Sequence, residues 1–289
     1  MARPERIVDI HAHTGEGPIW HPDKRRLYWV DIPAGRLYGY DPAAGDYELV
    51  YETSGRPLGG TTVEADGALL LFTHGTVLRF EPTTTAVTTV AELETETRFN
   101  DVITDPEGRV FCGTMPGENE LGDLYRLDPD GTTTVVVENV DIANGMGFAP
   151  DGETFYFTES EAQQIYAFDY DRATGELSNR RILLETPPDD GIPDGMTVDE
   201  DGYIWSARWN GGCVVKYAPD GTAVDELDLP ARKVSSVTLG GPSYDELYLT
   251  TALTDGERAT EGDGAGALFR VPDIDTGGVP EFRSRIASE

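Results

Sequence analysis

The sequence predicts an all-β fold: a six-bladed β-propeller with four-stranded blades, occupying residues 1–289 as one domain. Short apolar or alternating runs recur between turn signals, while long stretches of 3.6-residue periodicity are missing. The runs return every 41 to 50 residues, the interval of a propeller blade. A second set of turns then divides each interval.

Five runs follow compact turns: RLYWVDI after Asp23-Lys24, ALLLFT after Asp66-Gly67, GRVFCGTM at Glu107-Gly108, TFYFTES after Asp151-Gly152 and YIWSAR after Asp201-Gly202. The sixth, ELYLTT, follows a longer turn that reaches Asp245. A third strand comes next in each unit, as in RLYGY, VLRF, DLYRL, IYAFDY and CVVKY, and is closed by DPAAG, PTTT, DPDG, YDRATG and APDG. Each unit thus reads strand, turn, strand, loop, strand, turn, strand. The N-terminal ERIVDIHA is left over, and it is expected to complete the last blade, closing the ring and removing exposed edges. A sandwich or open barrel could use the same strands but gives no reason for the regular period.

Composition narrows the partners. The formal charge is -31, with 53 Asp and Glu against 22 Lys and Arg. Only Lys24, Lys216 and Lys233 are lysines. A carboxylate-covered surface disfavours nucleic acid and anionic membrane, and its self-repulsion suits a cytosol of concentrated salt. The start MARPERIVDI has no apolar core of a signal peptide, and no run reaches membrane-spanning length, so a cytoplasmic protein, monomeric or weakly oligomeric, is expected. Cys112 and Cys213 lack metal-type spacing and read as buried reduced thiols.

In a propeller the first strand of each blade lines the central channel, so equivalent repeat positions lie at equal depth around the axis. Seven residues before the first five turns stand Glu16, Gly59, Asn100, Asn144 and Asp194. Aligning Thr250 with Thr73, Thr114 and Thr158 adds Ser236 from the sixth blade. Two carboxylates facing each other in a confined site repel, raising a pKa or requiring a cation. A hard divalent ion on Glu16, Asn144 and Asp194 would resolve the repulsion. Register alone leaves a second outcome open, a hydrogen-bonded polar plug or water-filled channel without metal.

Loops after the second strands should cover the channel mouth and shape a pocket: Met115 to Gly122, Arg208 to Gly212 and Thr251 to Gly266. Trp209 falls in one of them, where ligand contact competes with a core role. His11 and His13 lie two apart in a strand-like run and read as strand filler, since no βα alternation follows. No GxSxG elbow is present, and the acidic turns at Asp128 to Gly131 and Asp169 to Gly175 lack EF-hand ligand spacing.

The segments GEGPIWHPDKRRLYWVDIPAGRLYGYDP, TRFNDVITDPEGRVFCGTM, NGMGFAPDGETFYFTES and IPDGMTVDEDGYIWSARWNGGCVVKY resemble the senescence-marker-protein, regucalcin and gluconolactonase family, in order and from about Gly15 to Val271. The resemblance implies a six-bladed propeller holding one divalent ion, with Ca²⁺ expected in a crystal and Zn²⁺, Mn²⁺, Mg²⁺ or Fe²⁺ serving in different members. It implies Glu16, Asn144 and Asp194 as metal ligands and Arg98 and Asn100 as partners of substrate hydroxyls. An acidic residue of the next mouth loop matches Glu118, with Glu120 two residues away. The implied activity is metal-dependent opening of a pentono- or hexonolactone to its aldonic acid, with Asp194 as the catalytic base. A non-catalytic calcium-binding propeller, or a hydrolase of other lactones or phosphotriesters, would share the metal ligands. Arg98 and Asn100 beside the metal are what a pure calcium buffer would not need.

Overall fold

The computed structural model describes residues 3–93, 95 and 97–286. Among them are six antiparallel four-stranded sheets; in five the first strand in sequence is innermost, and in the sheet that closes the ring Val234–Gly240 is innermost while Glu5–Asp9 forms the outer edge. The inner strands are Gly15–His21, Gly60–Val63, Phe99–Thr104, Ala143–Phe148, Ile192–Val198 and Val234–Gly240. Each contacts the next, and the last contacts the first, so the ring is complete. The strand left over in the sequence, Glu5–Asp9, pairs with Ala267–Val271, Glu5 opposite Arg270 and Asp9 opposite Ala267. Both ends of the blade series therefore share one sheet.

Burial follows position in the blade. The second strand Leu69–Phe72 is wholly buried, whereas the outermost Asp46–Glu52 is mostly exposed and charged. Charge on the outer strand keeps that edge from pairing with other chains. The apolar core lies between blades: Val30 and Leu37 meet Leu69 and Leu71, Phe111 meets Phe155 and Phe157, and Trp205 meets Leu247 and Leu249. At the closure Trp20 stacks on Tyr248 with ring centroids 6.2 Å apart. Burying each large side chain contributes about 2 to 3 kcal/mol.

Two of the turns work through an aspartate just before the pair singled out in the sequence, whereas Asp66 and Asp151 accept backbone N–H groups of their own turns. Asp105 Oδ1 accepts the backbone N–H of Glu107 and Arg109, and Asp199 Oδ1 does the same for Asp201 and Tyr203. Gly108 and Gly202 adopt φ of 89° and 85° there, a region that favours glycine.

A strap follows the last blade strand, beyond the reach of the repeat pattern. Residues 272–286 cross the face bearing the turns between first and second strands. Ile274 N donates to Asp245 O, Gly277 O accepts from Glu200 N, Ser284 N donates to Val63 O and Arg285 N donates to Gly108 O. Ile286 packs with Phe72 and Val110, and Phe282 meets Phe148 edge-on. Beneath the strap, Glu281 and Phe282 border a channel cavity of about 60 Å³ shared with Asp101 and Thr104. The channel is therefore covered at this end. The long Thr251 to Gly266 loop carries one helical turn, Arg258–Glu261, whose Glu261 pairs with buried Lys233. Among the described residues no helix is long and apolar enough to cross a membrane.

Candidate active site

The site is built on irregularities of the inner strands. Pairing with the second strand slips between Glu16 and Ile19, Phe99 and Val102, Ala143 and Met146, and Pro193 and Met196. Glu16, Asn100, Asn144 and Asp194 each sit at or inside one of these bulges, a device that re-aims a side chain out of the regular pleat. Glycine follows three of the four. A Cβ on Gly145 would lie 2.5 Å from Asp194 O, and one on Gly195 would lie 2.1 Å from Ser236 Oγ. The Asn-Gly and Asp-Gly pairs thus let neighbouring inner strands meet closely at the axis.

The four side chains are only 4 to 6% exposed and converge in a pocket of about 220 Å³ at the open end of the channel. A directed hydrogen-bond chain runs from Arg98 through Asn100, Asn144 and Ser160 to the backbone before Asp194, and Glu16 stands outside it. Arg98 Nη1 donates to Asn100 Oδ1 at 2.7 Å. Asn100 Nδ2 donates to Ala143 O at 2.8 Å and to Asn144 Oδ1 at 3.2 Å. Asn144 Nδ2 donates to Ser160 Oγ at 2.9 Å, and that hydroxyl donates to Pro193 O at 2.7 Å. Glu16 Oε2 accepts from Gly17 N at 2.9 Å.

Electrostatics sets the chemistry. Burial, then the charges of Asp194 and Asp101, pushes Glu16 well above the usual carboxylate range. Burial, then Asp101, does the same to Asp194. Asp101 is itself pushed up to about 7 by burial, against the pull of Arg98. Burial lowers the Arg98 guanidinium. Left to themselves, these carboxyls cannot all carry charge. Among the described residues no three His, Cys, Asp or Glu side chains gather as a ligand group. The available set is two carboxylates, Glu16 and Asp194, completed by the Asn144 carboxamide. These hard oxygen donors with two negative charges fit a divalent ion such as Ca²⁺ or Mg²⁺, and other ligands would be water.

The expected ring is only partly a pocket. Gly59 fills its position as a spacer, where a Cβ would lie 2.2 Å from Phe99 O. Ser236 borders the cavity beneath rather than the mouth. Glu118 is exposed and stands outside the pocket, and Glu120 borders an adjoining cavity beside Met115. The acidic side chain at the mouth is instead Glu161, which the family motifs did not mark. Asp101 was also missed, although it directly follows Asn100. Trp209 does line the mouth.

Ile32, Met115, Ile142, Ile192 and Trp209 form apolar walls above the polar floor. One sequence expectation needs correction. His11 and His13 do not share a strand, because the strand ends at Asp9 and His11 turns with φ of 55°. His13 Nδ1 instead lies 3.0 Å from Thr14 Oγ1. Cys112 and Cys213 are buried and free, and burial pushes their thiols up to about 12 and about 11.

A family model described as the SMP-30/Gluconolactonase/LRE-like region matches residues 14–253. Pentonolactonase XacC of Haloferax volcanii is 50% identical over 291 residues, covering 97% of this chain and 98% of that protein. Bovine (Bos taurus) regucalcin is 33% identical, covering 96% and 97% respectively. A gluconolactonase structure from Xanthomonas campestris superposes with a TM-score of 0.77 at 25% identity, over 94% of this chain and 89% of that one.

Proposed function

The chain belongs to the SMP-30/gluconolactonase/LRE-like family, and on that basis we propose that it is a sugar lactonase opening a pentono- or hexonolactone to the aldonic acid. The observation that carries this reading is the meeting of the Glu16–Asp194 pair with Arg98 and Asn100 in one small pocket. The 50% identity to a pentonolactonase supports the substrate class.

Glu16, Asn144 and Asp194 would hold a divalent ion, which supplies Lewis acidity that polarises a lactone carbonyl. Arg98 and Asn100 hold ring hydroxyls so that the ester carbon faces the attacking water. Asp194 accepts a proton from that water as its oxygen bonds to the carbonyl carbon. The bond between that carbon and the ring oxygen then breaks, and Asp194 returns its proton to the released alkoxide. Asp194 can begin only as a carboxylate, the form favoured by a neighbouring cation. Glu161 takes the mouth position first expected of Glu118. The apolar walls suit the C–H faces of a sugar ring, with Trp209 as the broadest surface. We assign the whole chain to one propeller domain working in a salty cytoplasm, on the strength of its charge of -31.

Proton release from a panel of pentono- and hexonolactones, with chelator and with added divalent ions, tests the proposal. Turnover of at least one sugar lactone that is lost in chelator and restored by an ion is expected. Turnover of long-chain lactones alone, or full activity in chelator with no metal by elemental analysis, would overturn it.

A further inference from the structure

We propose that Ser160 is a positioning residue: it turns the Asn144 carboxamide oxygen away from itself and toward Asn100 and the channel, and it ties Asn144 to the backbone that carries Asp194. The inference rests on reading Glu16, Asn144 and Asp194 as holders of a divalent ion. Ser160 lies just past the second strand of its blade, Thr154–Glu159, is 3% exposed and lines the pocket.

The argument is one of donors and acceptors. A backbone carbonyl only accepts, so the Ser160 hydroxyl spends its single proton on Pro193 O at 2.7 Å. Toward Asn144, 2.9 Å away, it can then only accept, and Asn144 must present its NH₂ there. The same constraint arrives from the other end. Arg98 only donates, which turns Asn100 Oδ1 toward it, and Ala143 O only accepts, which turns Asn100 Nδ2 the other way. Asn100 Nδ2 thereby faces Asn144 Oδ1 at 3.2 Å. Both amides are held in one orientation from two sides. Pro193 precedes Asp194, so one hydroxyl links two of the three donors across neighbouring blades. Without it, Asn144 Nδ2 and Pro193 O lose a buried partner, and a rotated amide would turn N–H groups toward a cation.

Calorimetric titration of the full metal-stripped chain with Ca²⁺ and with Mn²⁺ tests this without an activity assay. Ser160→Ala is expected to weaken ion binding about 10- to 100-fold, the usual loss for a partner that orients a ligand. Ser160→Thr, which keeps the hydroxyl, should bind several-fold more tightly than the alanine variant. Thr158→Val serves as control, because Thr158 Oγ1 is buried nearby without a hydrogen-bond partner, and it should bind as the unsubstituted chain does. Should the alanine variant fail to fold, Ser160→Cys keeps the shape with a poor hydrogen-bonding group and should show the same direction of loss. Ion binding by Ser160→Ala or Ser160→Cys within twofold of the unsubstituted chain overturns the role of Ser160 alone. An equal loss in Thr158→Val overturns it too, by pointing to general disturbance. If the unsubstituted chain binds neither ion, the ion reading and this inference fall together.

Discussion

Glu281 is a carboxyl in the strap that covers the closed end of the channel, and replacing it with glutamine should stabilise the protein at neutral pH and above. Burial pushes its pKa from 4.5 up to about 7. The folded protein therefore keeps a proton that the unfolded chain releases between these values. Stability conferred by that proton is complete below pH 4.5 and falls as pH rises through about 7. At about 1.4 kcal/mol per pKa unit the ceiling is about 3 kcal/mol, and partial exposure with solvent screening reduces it to about 1 to 2 kcal/mol. Glu281→Gln keeps the shape without the titration. For a domain of this size it should melt about 2 to 5 °C higher than the unsubstituted chain at pH 8, and at nearly the same temperature at pH 4.5. Calorimetric melting of both proteins from pH 4.5 to 8 at fixed ionic strength is the assay. A melting difference that stays constant across that range, or glutamate being the more stable at pH 8, would refute the reasoning.

Two contrasts probe the open end. Asp194→Asn keeps an oxygen ligand but loses charge and basicity, so at saturating metal its turnover should fall by about two to four orders of magnitude. Glu16→Gln, changed at a residue proposed as ligand only, should recover most activity when metal is raised; wild-type turnover by metal-saturated Asp194→Asn would remove Asp194 as base. Arg98→Ala should raise KM about 10- to 100-fold, as for loss of a charged hydrogen bond, and the effect should shrink for lactones lacking the contacted hydroxyl. A uniform loss of kcat across the lactone panel would instead assign Arg98 to holding Asn100 in place.

The blades were legible because each obeys a local rule: alternating runs, acidic turns and a regular interval. Channel residues were legible for the same reason, since counting back from a turn reaches the same depth in five blades. What the count could not show was the bulge at each of Glu16, Asn100, Asn144 and Asp194, which depends on pairing with the next strand. Ser160 and Glu161 escaped because they sit at the far end of the second strand and meet the site only through blade packing. The Met115 to Gly122 loop shows the opposite failure. Glu118 satisfies a motif, yet the loop's path leaves it exposed while Met115 enters the wall. The strap was invisible for a simpler reason: residues 272–286 follow no repeat, and their partners are turns scattered from Val63 to Asp245.

A pocket covered at one end must take in substrate and release product through the same mouth, and the proposed reaction changes the charge of what passes. A sugar lactone is neutral, whereas an aldonate carries one negative charge at neutral pH. Glu161 stands at the mouth, and the whole chain carries a charge of -31. The field that leaves an arriving lactone unaffected therefore opposes rebinding of the acid, while Arg98 at the pocket floor pulls the other way over a short range. If the long-range field dominates, the inhibition constant of the aldonate should rise as salt is lowered from about 1 M to about 0.1 M, because screening weakens over that range. A change on the order of tenfold matches a surface potential of a few kT. The KM of the lactone should stay nearly constant. Initial rates with added aldonate at each salt concentration measure both quantities. An inhibition constant that falls with decreasing salt would mean that the local positive charge at the floor outweighs the acidic surface, and product release would then need another explanation.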